Sequence, residues 1–599
     1  MTFDFALILS ALYLAMFVVI IGRIILRPQR EPASRLAWLI ATIAVPVVGI
    51  LAYLLIGEAR ISAKRRARYA AIEAHLPHPH ANADVRRTLA RSAWAAPFAL
   101  AETVNALPPT AGNRARLAAD SNAAIREMVE DIDNAKSTVH LCFYIWLADA
   151  NGFRIKDALV RAARRGVKVR VLADALGSRG FIRSAYWIEM QNAGVDARIA
   201  LPIGGLFWTL IRGRFDLRNH RKQLIVDNRI AWCGSQNLAD PEFRVKPKYA
   251  PWVDLMTRWE GPAVQCCQFI FAADWESEHG DDISGLLFDE AEPAPADTPG
   301  IAAQIIGTGP NVRYAAMTAC FTSLIHSARR ELVVTTPYFV PDEQLLFALL
   351  DCARRGVDTV MILPERNDSH VVAGASRSYY ADLVDAGVRL YEYRPGLLHA
   401  KTMVVDSEVA LIGSANLDRR SFELNFENNI LLRDKAFAGE IRARQDDYLA
   451  QSNLVSAADV ARLVDSAVSF GSGRLDGCVA NAGGGGGMGP YHLQKTDEFV
   501  RVLHLNARGL LIRDDHMHDG SIDQTAIYAR EVIRHAIDFG SASLILVHNH
   551  PSGSPQPSRQ DIAVTRHIVE AGKPLGIAVH DHIVIGTEGY ASLRSMGLL

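Results

Sequence analysis

His220-Arg221-Lys222, four residues and then Asp227 form one short pattern; His399-Ala400-Lys401, four residues and then Asp406 form a second, 179 residues further on. Each is followed at the same interval by Gly-Ser-x-Asn: Gly234, Ser235 and Asn237, then Gly413, Ser414 and Asn416. Side chains alternate between the faces of an extended segment, so His and Lys at i and i+2 point the same way. The residues between Lys and Asp, Gln-Leu-Ile-Val and Thr-Met-Val-Val, read as buried strand. If the copies face each other, one cleft holds two imidazoles and two ammonium groups. That set suits a phosphodiester. One imidazole attacks phosphorus and the other protonates the leaving oxygen. The lysines, with Asn237 and Asn416, hold the phosphoryl oxygens as charge builds. The cations are side chains, so this chemistry needs no metal. A single copy could be a sheet histidine beside a salt-bridged lysine. Sheet packing does not demand that His, Lys, Asp, Gly, Ser and Asn recur together.

A second constellation lies near the C-terminus. His548-Asn549-His550 is followed by seven residues, then Ser558, two residues and Asp561. His-x-His at a strand end aims two imidazoles at one point, and a carboxylate from the start of the next helix completes a three-ligand zinc site. The fourth position stays open for water, as in catalytic sites, and zinc lowers the pKa of that water. A general base is then needed, and Glu498 is the candidate; Ser558 could steady an oxyanion. The blander reading is a Pro- and Ser-rich loop with Ser558 capping the following helix. His516 and His518 form another His-x-His, but no further ligand accompanies them and they read as surface residues.

The elements that must position these groups alternate. Ala123–Ala135 reads as a helix, Thr138–Trp146 as a strand, Ile155–Arg165 as a helix and Val167–Ala173 as a strand. The order recurs in Thr318–Arg330, Leu332–Phe339, Glu343–Arg355 and Val357–Leu363. Ala-Arg-Arg-Gly-Val stands at 163–167 and again at 353–357. This is an internal duplication of an α/β unit, each half ending in one His-x-Lys strand, with a mixed or largely parallel sheet covered by helices. Near the C-terminus, Val500–Leu505 and Leu544–Val547 read as strands and Ala529–Phe539 as a helix.

The 599 residues allow about three or four domains. The formal net charge of −1 gives no global field that favours nucleic acid, so anion binding must be local. Seven scattered cysteines, without Cys-x-x-Cys, speak against a disulfide framework or a cysteine zinc site. Phe5–Leu26 and Leu36–Ile56 are apolar runs, each long enough to cross a bilayer at ~20 residues and joined by a short basic connection. No basic segment precedes the first run, so a cleaved signal peptide fits poorly. Basic residues on both flanks pull the orientation rule in opposite directions; Arg60, Lys64, Arg65, Arg66 and Arg68 weakly favour a cytoplasmic body. These residues read equally as a solvated flank or as contacts to anionic headgroups. Residues 470–490, with glycines at 483–487 and Cys478, lack periodicity and read as a linker, with the look of a junction between two reading frames.

The chain thus divides into a transmembrane hairpin (1–60), a connecting segment (61–114), a first lobe (115–290), a second lobe (291–460), a Gly-rich linker (461–491) and a last α/β domain (492–599).

Pro-Ala-Ser-Arg-Leu-Ala-Trp-Leu at 32–39, Gly57-Glu58, Arg218-Asn-His-Arg-Lys222, Thr336-Pro-Tyr-Phe-Val-Pro-Asp342 and Leu417-Asp-Arg-Arg-Ser-Phe-Glu-Leu-Asn-Phe-Glu427 resemble bacterial cardiolipin synthases of the phospholipase D superfamily. The resemblance implies transfer of a phosphatidyl group between two phosphatidylglycerol molecules, giving cardiolipin and glycerol through a phosphatidyl-histidine intermediate. It implies His220 as nucleophile and His399 as acid, then base. Lys222, Lys401, Asn237 and Asn416 would bind phosphate, and Asp227 and Asp406 would support the site. A two-pass position in the bacterial inner membrane goes with it. His-Asn-His-Pro-Ser-Gly at 548–553, Pro557-Ser558 and Asp581-His582-Ile-Val-Ile-Gly586 resemble the RadC-type domain of the JAB/MPN metalloprotease-like superfamily. That resemblance implies an α/β fold around zinc and amide or isopeptide hydrolysis, with a peptide or protein as substrate. Two other expectations compete with membrane phosphatidyl transfer. One is a phospholipase D-type hydrolase, and the other is a RadC-like DNA-repair or zinc-peptidase protein anchored by its front half.

Overall fold

The computed structural model describes residues 2–27, 32–57, 61, 63–79, 83–202, 216–287, 300–456, 459, 498–506, 511–520, 529–550, 554–586 and 589–599. The glycine-rich segment and Cys478 lie outside the described residues. Two compact units emerge, Met1–Val455 and Ser456–Leu599.

The first unit begins with helices α1 (Thr2–Leu26), α2 (Pro32–Ala44) and α3 (Pro46–Ile56). They meet through Ile20, Ile24, Ile50 and Tyr53. The expectation of one continuous second run is corrected: Val45 leaves helical geometry at φ −132°, ψ 75°, and Pro46 opens a new helix. Proline lacks the N–H that an unbroken helix needs and crowds the preceding turn. Among the described residues, no helix is long and apolar enough to cross a membrane. Helix α4 (Ala63–His75) follows. Its basic residues are not a purely solvated flank. Arg65 pairs with Glu278, and Arg68 donates to the Glu276 carbonyl at 2.8 Å.

The duplicated strands arise where the periodicity places them. The first lobe supplies β1 (Thr110–Leu117), β2 (Thr138–Phe143), β3 (Lys168–Asp174), β4 (Asp196–Ala200), β5 (Lys222–Val226), β6 (Ile230–Gly234) and β7 (Met256–Glu260). The second supplies β8 (Ile301–Thr308), β9 (Glu331–Thr335), β10 (Asp358–Pro364), β11 (Arg389–Tyr393), β12 (Thr402–Val405), β13 (Val409–Gly413), β14 (Asn425–Arg433) and β15 (Ser452–Leu454). Asp120, Asp149 and Asp342 cap the helices α5 (Ser121–Asn134), α6 (Ala150–Arg164) and α9 (Glu343–Arg354), each accepting a backbone N–H from the first turn. The repeated Ala-Arg-Arg-Gly has a physical cause. Gly166 (φ +90°) and Gly356 (φ +85°) turn α6 and α9 out into β3 and β10, in backbone conformations that a side chain would strain.

One continuous sheet runs through both lobes in the order β15-β11-β10-β9-β12-β13-β14-β8-β1-β7-β6-β5-β2-β3-β4. Parallel triplets, β2-β3-β4 and β9-β10-β11, lie outward, and antiparallel strands meet in the middle, where β8 pairs with β1. The expected strand to Phe339 stops at Thr335 before Pro337, and Phe339–Val340 pairs separately with Leu417–Asp418. Helix α7 (Ala263–His279) is buried along most of its length and packs on strands of both lobes; α8 (Ala316–Ser327), α10 (Arg419–Glu423) and α11 (Lys435–Leu449) complete the second lobe.

The second unit is a five-stranded sheet in the order β17-β16-β18-β19-β20. Its strands are β16 (Glu498–Leu505), β17 (Leu511–Gly520), β18 (Ser543–Asn549), β19 (Ala578–Gly586) and β20 (Gly589–Ser592), with helices α12 (Ala529–Asp538) and α13 (Arg559–Gly572). Val502, Val532, Leu544, Leu546 and Ile568 form its core.

Candidate active site and candidate metal centre

The two His-x-Lys segments meet through exchanged strand pairs. Arg218–Asn219, just before His220, pairs in parallel with Asn425–Phe426 of the second lobe. Leu397–Leu398, just before His399, pairs in parallel with Trp252–Val253 of the first. The next residue on each partner strand is acidic, Glu427 and Asp254. The His220 N–H donates to the Phe426 carbonyl at 2.9 Å and the His399 N–H to the Val253 carbonyl at 2.7 Å. Each ring is therefore delivered to a carboxylate of the opposite lobe. His220 Nδ1 lies 2.9 Å from Glu427 Oε2, and His399 Nδ1 lies 2.7 Å from Asp254 Oδ1.

The serine of each Gly-Ser-x-Asn braces the carboxylate that holds the other lobe's histidine. Ser235 Oγ donates to Asp254 at 2.6 Å, and Ser414 Oγ donates to Glu427. Both lysines are buried. Lys222 Nζ donates to the His220 carbonyl at 2.6 Å and Lys401 Nζ to the His399 carbonyl at 2.5 Å. Asn237 Oδ1 accepts the Ile145 N–H at 3.2 Å, leaving its amide protons to donate. Asn416 Oδ1 is buried without a hydrogen-bond partner. Arg221, between His and Lys, faces the other way and pairs with the buried Asp274.

Burial pushes the His220 ring down to about 4, against the pull of Glu427, and lowers His399 against that of Asp254. Burial would raise both acids, but the rings and lysines outweigh it: Asp254 sits at about 2, and Glu427 is also held below its ordinary value. His220 is thus a neutral imidazole donating Nδ1–H to the ionised Glu427, with its Nε2 lone pair left for chemistry, and His399 likewise turns Nδ1–H to the ionised Asp254, leaving Nε2 to carry or release a proton. Burial lowers Lys222 to about 8 and Lys401 to about 7.

Asp227 and Asp406 stand apart from the rings, contrary to the expectation that they support the site. Each follows the strand that runs on from its lysine, in a turn at positive φ. Asp227 accepts the N–H groups of Lys136, Ser137 and Thr138; Asp406 accepts those of Arg329, Arg330 and Glu331. They tie the motif strand to the start of its neighbour. Sequence reasoning missed Glu427 and Asp254, and also the rings against the histidines. Tyr144 lies edge-on at 4.9 Å from His220, and Trp252 at 4.8 Å from His399.

In the second unit, ligand atoms of His548, His550 and Asp561 all lie within 4.8 Å of one another. His548 Nε2 is 3.2 Å from Asp561 Oδ1, and His550 Nε2 is 3.1 Å from Asp561 Oδ2. The outer nitrogens are engaged, at 2.8 Å between His548 Nδ1 and His582 Nε2, and at 3.0 Å between His550 Nδ1 and the Ser554 carbonyl. Both Nε2 atoms are thereby left as ligands. His548 Nε2 is buried and, although close to Asp561, makes no hydrogen bond, so its lone pair fits a metal ligand. Nitrogen and carboxylate donors suit zinc. Ser558 caps α13 in a capping box with Asp561; its oxygen accepts the Asp561 N–H, and the Ser558 N–H donates to the Asp561 carboxylate. Glu498 opens β16, two residues before Val500, which pairs with His548. The Glu498 side chain, like those of His516 and His518, lies outside the described residues.

A sheet duplicated about its centre, with two histidines and two lysines converging from its halves, defines a phospholipase D-like protein. The family description "Cardiolipin synthase, PLD-like domain" matches residues 128–249 and 321–448, and "Phospholipase_D-nuclease N-terminal" matches 11–58. Cardiolipin synthase A of Citrobacter koseri is 36% identical over 449 residues, covering 72% of this chain and 90% of that protein. The Serratia proteamaculans protein of the same name is 35% identical over 455 residues, covering 73% and 90%. The chain therefore belongs to the cardiolipin synthase family, and its residues 489–598 carry a RadC-like JAB domain. Among solved structures, phosphatidylserine synthase of Haemophilus influenzae superposes with a TM-score of 0.44 at 14% identity, over 65% of this chain and 92% of that one.

Proposed function

We propose that this protein is a membrane-bound cardiolipin synthase that joins two phosphatidylglycerol molecules. The observation that carries this reading is the exchange of carboxylates, which makes two half-sites into one. The neutral His220 Nε2 attacks phosphorus of the first lipid. His399 enters the step as the imidazolium, Nδ1–H on Asp254 and a second proton on Nε2; as the bond from phosphorus to the glycerol headgroup oxygen breaks, that oxygen takes the Nε2 proton and leaves as glycerol. His399 then removes the proton from a headgroup hydroxyl of the second lipid. That oxygen attacks phosphorus, the P–N bond breaks, and cardiolipin departs. Lys222, Lys401, Asn237 and Asn416 hold the non-bridging oxygens through both steps, where charge is greatest. Glu427 and Asp254 fix the ring tautomers and stabilise each imidazolium as it forms.

The N-terminal helices support a two-pass seat in a bacterial inner membrane. Leu14, Val18, Val19, Leu26, Ile40, Val47 and Val48 expose between 58% and 80% of their surface. An apolar face of that kind is costly in water and at home in lipid. In the last domain, His548, His550 and Asp561 would hold zinc, which activates water for hydrolysis of a peptide or isopeptide when bound. Glu498 would take the proton of that water, and Ser558 would donate to the oxyanion.

The test is lipid analysis of a cardiolipin-deficient host carrying the full chain. Wild type restores cardiolipin, and His220→Ala and His399→Ala do not. Near-normal synthesis in either variant overturns the two-histidine mechanism. Phosphatidic acid as main product would make water the acceptor and the protein a hydrolase.

A further inference from the structure

A cavity of about 920 Å³ lies between the C-terminal end of α1 and the second lobe, away from the histidine pair. Arg23 lines it from the last turn of α1, Arg27 from just beyond that helix, Arg66 from α4, and Arg313 from the loop that follows β8. Among the described residues of its lining, Glu423 is the one acid beside four arginines. The chain as a whole is nearly neutral, at −1, so this is a local concentration of positive charge. Arg65 turns to Glu278 and Arg68 to the Glu276 carbonyl, both on α7, whereas Arg66 between them lines the cavity.

The walls between the arginines are apolar. Val19 and Leu26 line the α1 side and Phe422 the α10 side. A soluble phosphate has no use for such walls, whereas a lipid does: its phosphate meets the guanidinium fork and its chain lies along the helix. The depth also fits. Arg23 and Arg27 stand at the C-terminal end of α1, below its exposed Leu14, Val18 and Val19, and on the membrane-bound reading they lie beside the headgroup phosphates. The volume lies within the range of small-ligand sites, ~300–1,000 Å³.

We infer that this cavity is a second phospholipid site, which holds the phosphate of an anionic bilayer lipid against Arg23, Arg27, Arg66 and Arg313 while an acyl chain lies along Val19 and Leu26. It rests on the membrane-bound reading above. The site adjoins the catalytic elements. The loop carrying Arg313 begins at Thr308, which pairs with Glu427 in the sheet. Helix α10 follows directly on Asn416 and Asp418. Lipid held here therefore borders the strand that orients His220.

The test uses the full chain in vesicles of phosphatidylcholine doped with photoactivatable phosphatidylglycerol, read by mass spectrometry of labelled peptides. A His220→Ala background keeps turnover from consuming the probe. Labelling is expected at 19–27 and 309–315. It should fall roughly 30-fold in an Arg66→Ala/Arg313→Ala double variant, taking two charges at about 1 kcal/mol each beside an anionic surface and 1.4 kcal/mol per decade. Photoactivatable phosphatidylcholine labelling these peptides equally would mean a merely apolar contact and would overturn the site. So would unchanged labelling of the double variant, or displacement of the probe by excess inorganic phosphate, which would mean a soluble ligand. Failure of wild type to float with the vesicles would overturn the membrane reading and this site with it. Flotation without labelling at 309–315 overturns the site alone.

Discussion

His220 Nδ1 lies 2.9 Å from Glu427 Oε2, a residue 207 positions further along and in the other lobe. The mirror relationship, 2.7 Å from His399 to Asp254, runs back across the same interface. Neither lobe alone therefore holds an oriented histidine. The interface between the lobes and the candidate catalytic site are one set of contacts.

Glu427→Gln and Asp254→Asn should each lower turnover on the order of 10²–10⁴-fold, the range for losing general acid–base function or its orienting carboxylate. The amides keep size and hydrogen-bonding capacity, so circular dichroism should show an intact fold. Turnover above half of wild type in either variant would mean that the carboxylates are structural only.

The pH dependence of kcat/KM should also report the buried site. His220, at about 4, remains a neutral nucleophile well below the usual histidine range, so the acid limb should lie under pH 6.5. Lys401 and Lys222, at about 7 and 8, carry charge below those values and lose it above them. Anion binding should therefore weaken as pH rises through 7 to 8. A bound phosphodiester favours the charged lysines, so the alkaline limb of kcat should lie higher than that of kcat/KM. A profile of kcat/KM flat from pH 6 to 9 would exclude titrating lysines.

Asp227 separates the motif from the mechanism. Its carboxylate accepts three backbone N–H groups and the Ser137 hydroxyl. Asp227→Ala leaves those donors short of a partner and should cost about 1–3 kcal/mol of stability. The folded fraction should keep turnover within a few-fold of wild type. A loss of activity comparable to that of His220→Ala, in protein shown to be folded, would return Asp227 to the catalytic group.

The contrast explains what the sequence could and could not disclose. His, Lys, Gly, Ser and Asn recur at equal spacing because both lobes use the same strand and turn, and period-2 alternation puts His and Lys on one face. The lobes' helices and strands were legible for the same reason, with capping Asp residues and Gly166 and Gly356 marking their ends. Glu427 and Asp254 obey no such period. They stand 11 and 17 residues beyond Asn416 and Asn237, they differ in side chain, and their partners lie in the opposite lobe. Only strand pairing between lobes brings them to the rings. The aspartates erred the other way: they share the motif's spacing because the turn repeats, not because the chemistry does. The break at Pro46 was legible in principle, but a hydropathy run passes over a proline whose neighbours are all apolar.

The last domain offers a test that needs no known substrate. His548 Nδ1 donates to His582 Nε2, and the other nitrogen of His582 lies 2.6 Å from Thr565 Oγ1, which donates to the Asp561 carbonyl. Burial holds His582 down at about 3, so the ring stays neutral and can accept from His548 while donating to Thr565. The chain fixes His548 with Nε2 toward Asp561 and closes on the helix that carries that aspartate. Asp561→Ala should abolish stoichiometric zinc. His582→Ala should weaken zinc affinity by ~10–100-fold, the usual cost of losing a partner behind a metal ligand. His582→Gln, whose amide can both accept and donate, should recover part of it. Competition with a chromogenic chelator measures all three. Equal affinity in wild type and His582→Ala would show that the relay packs the domain without orienting the ligand, and no zinc in purified wild type would remove the metal centre altogether.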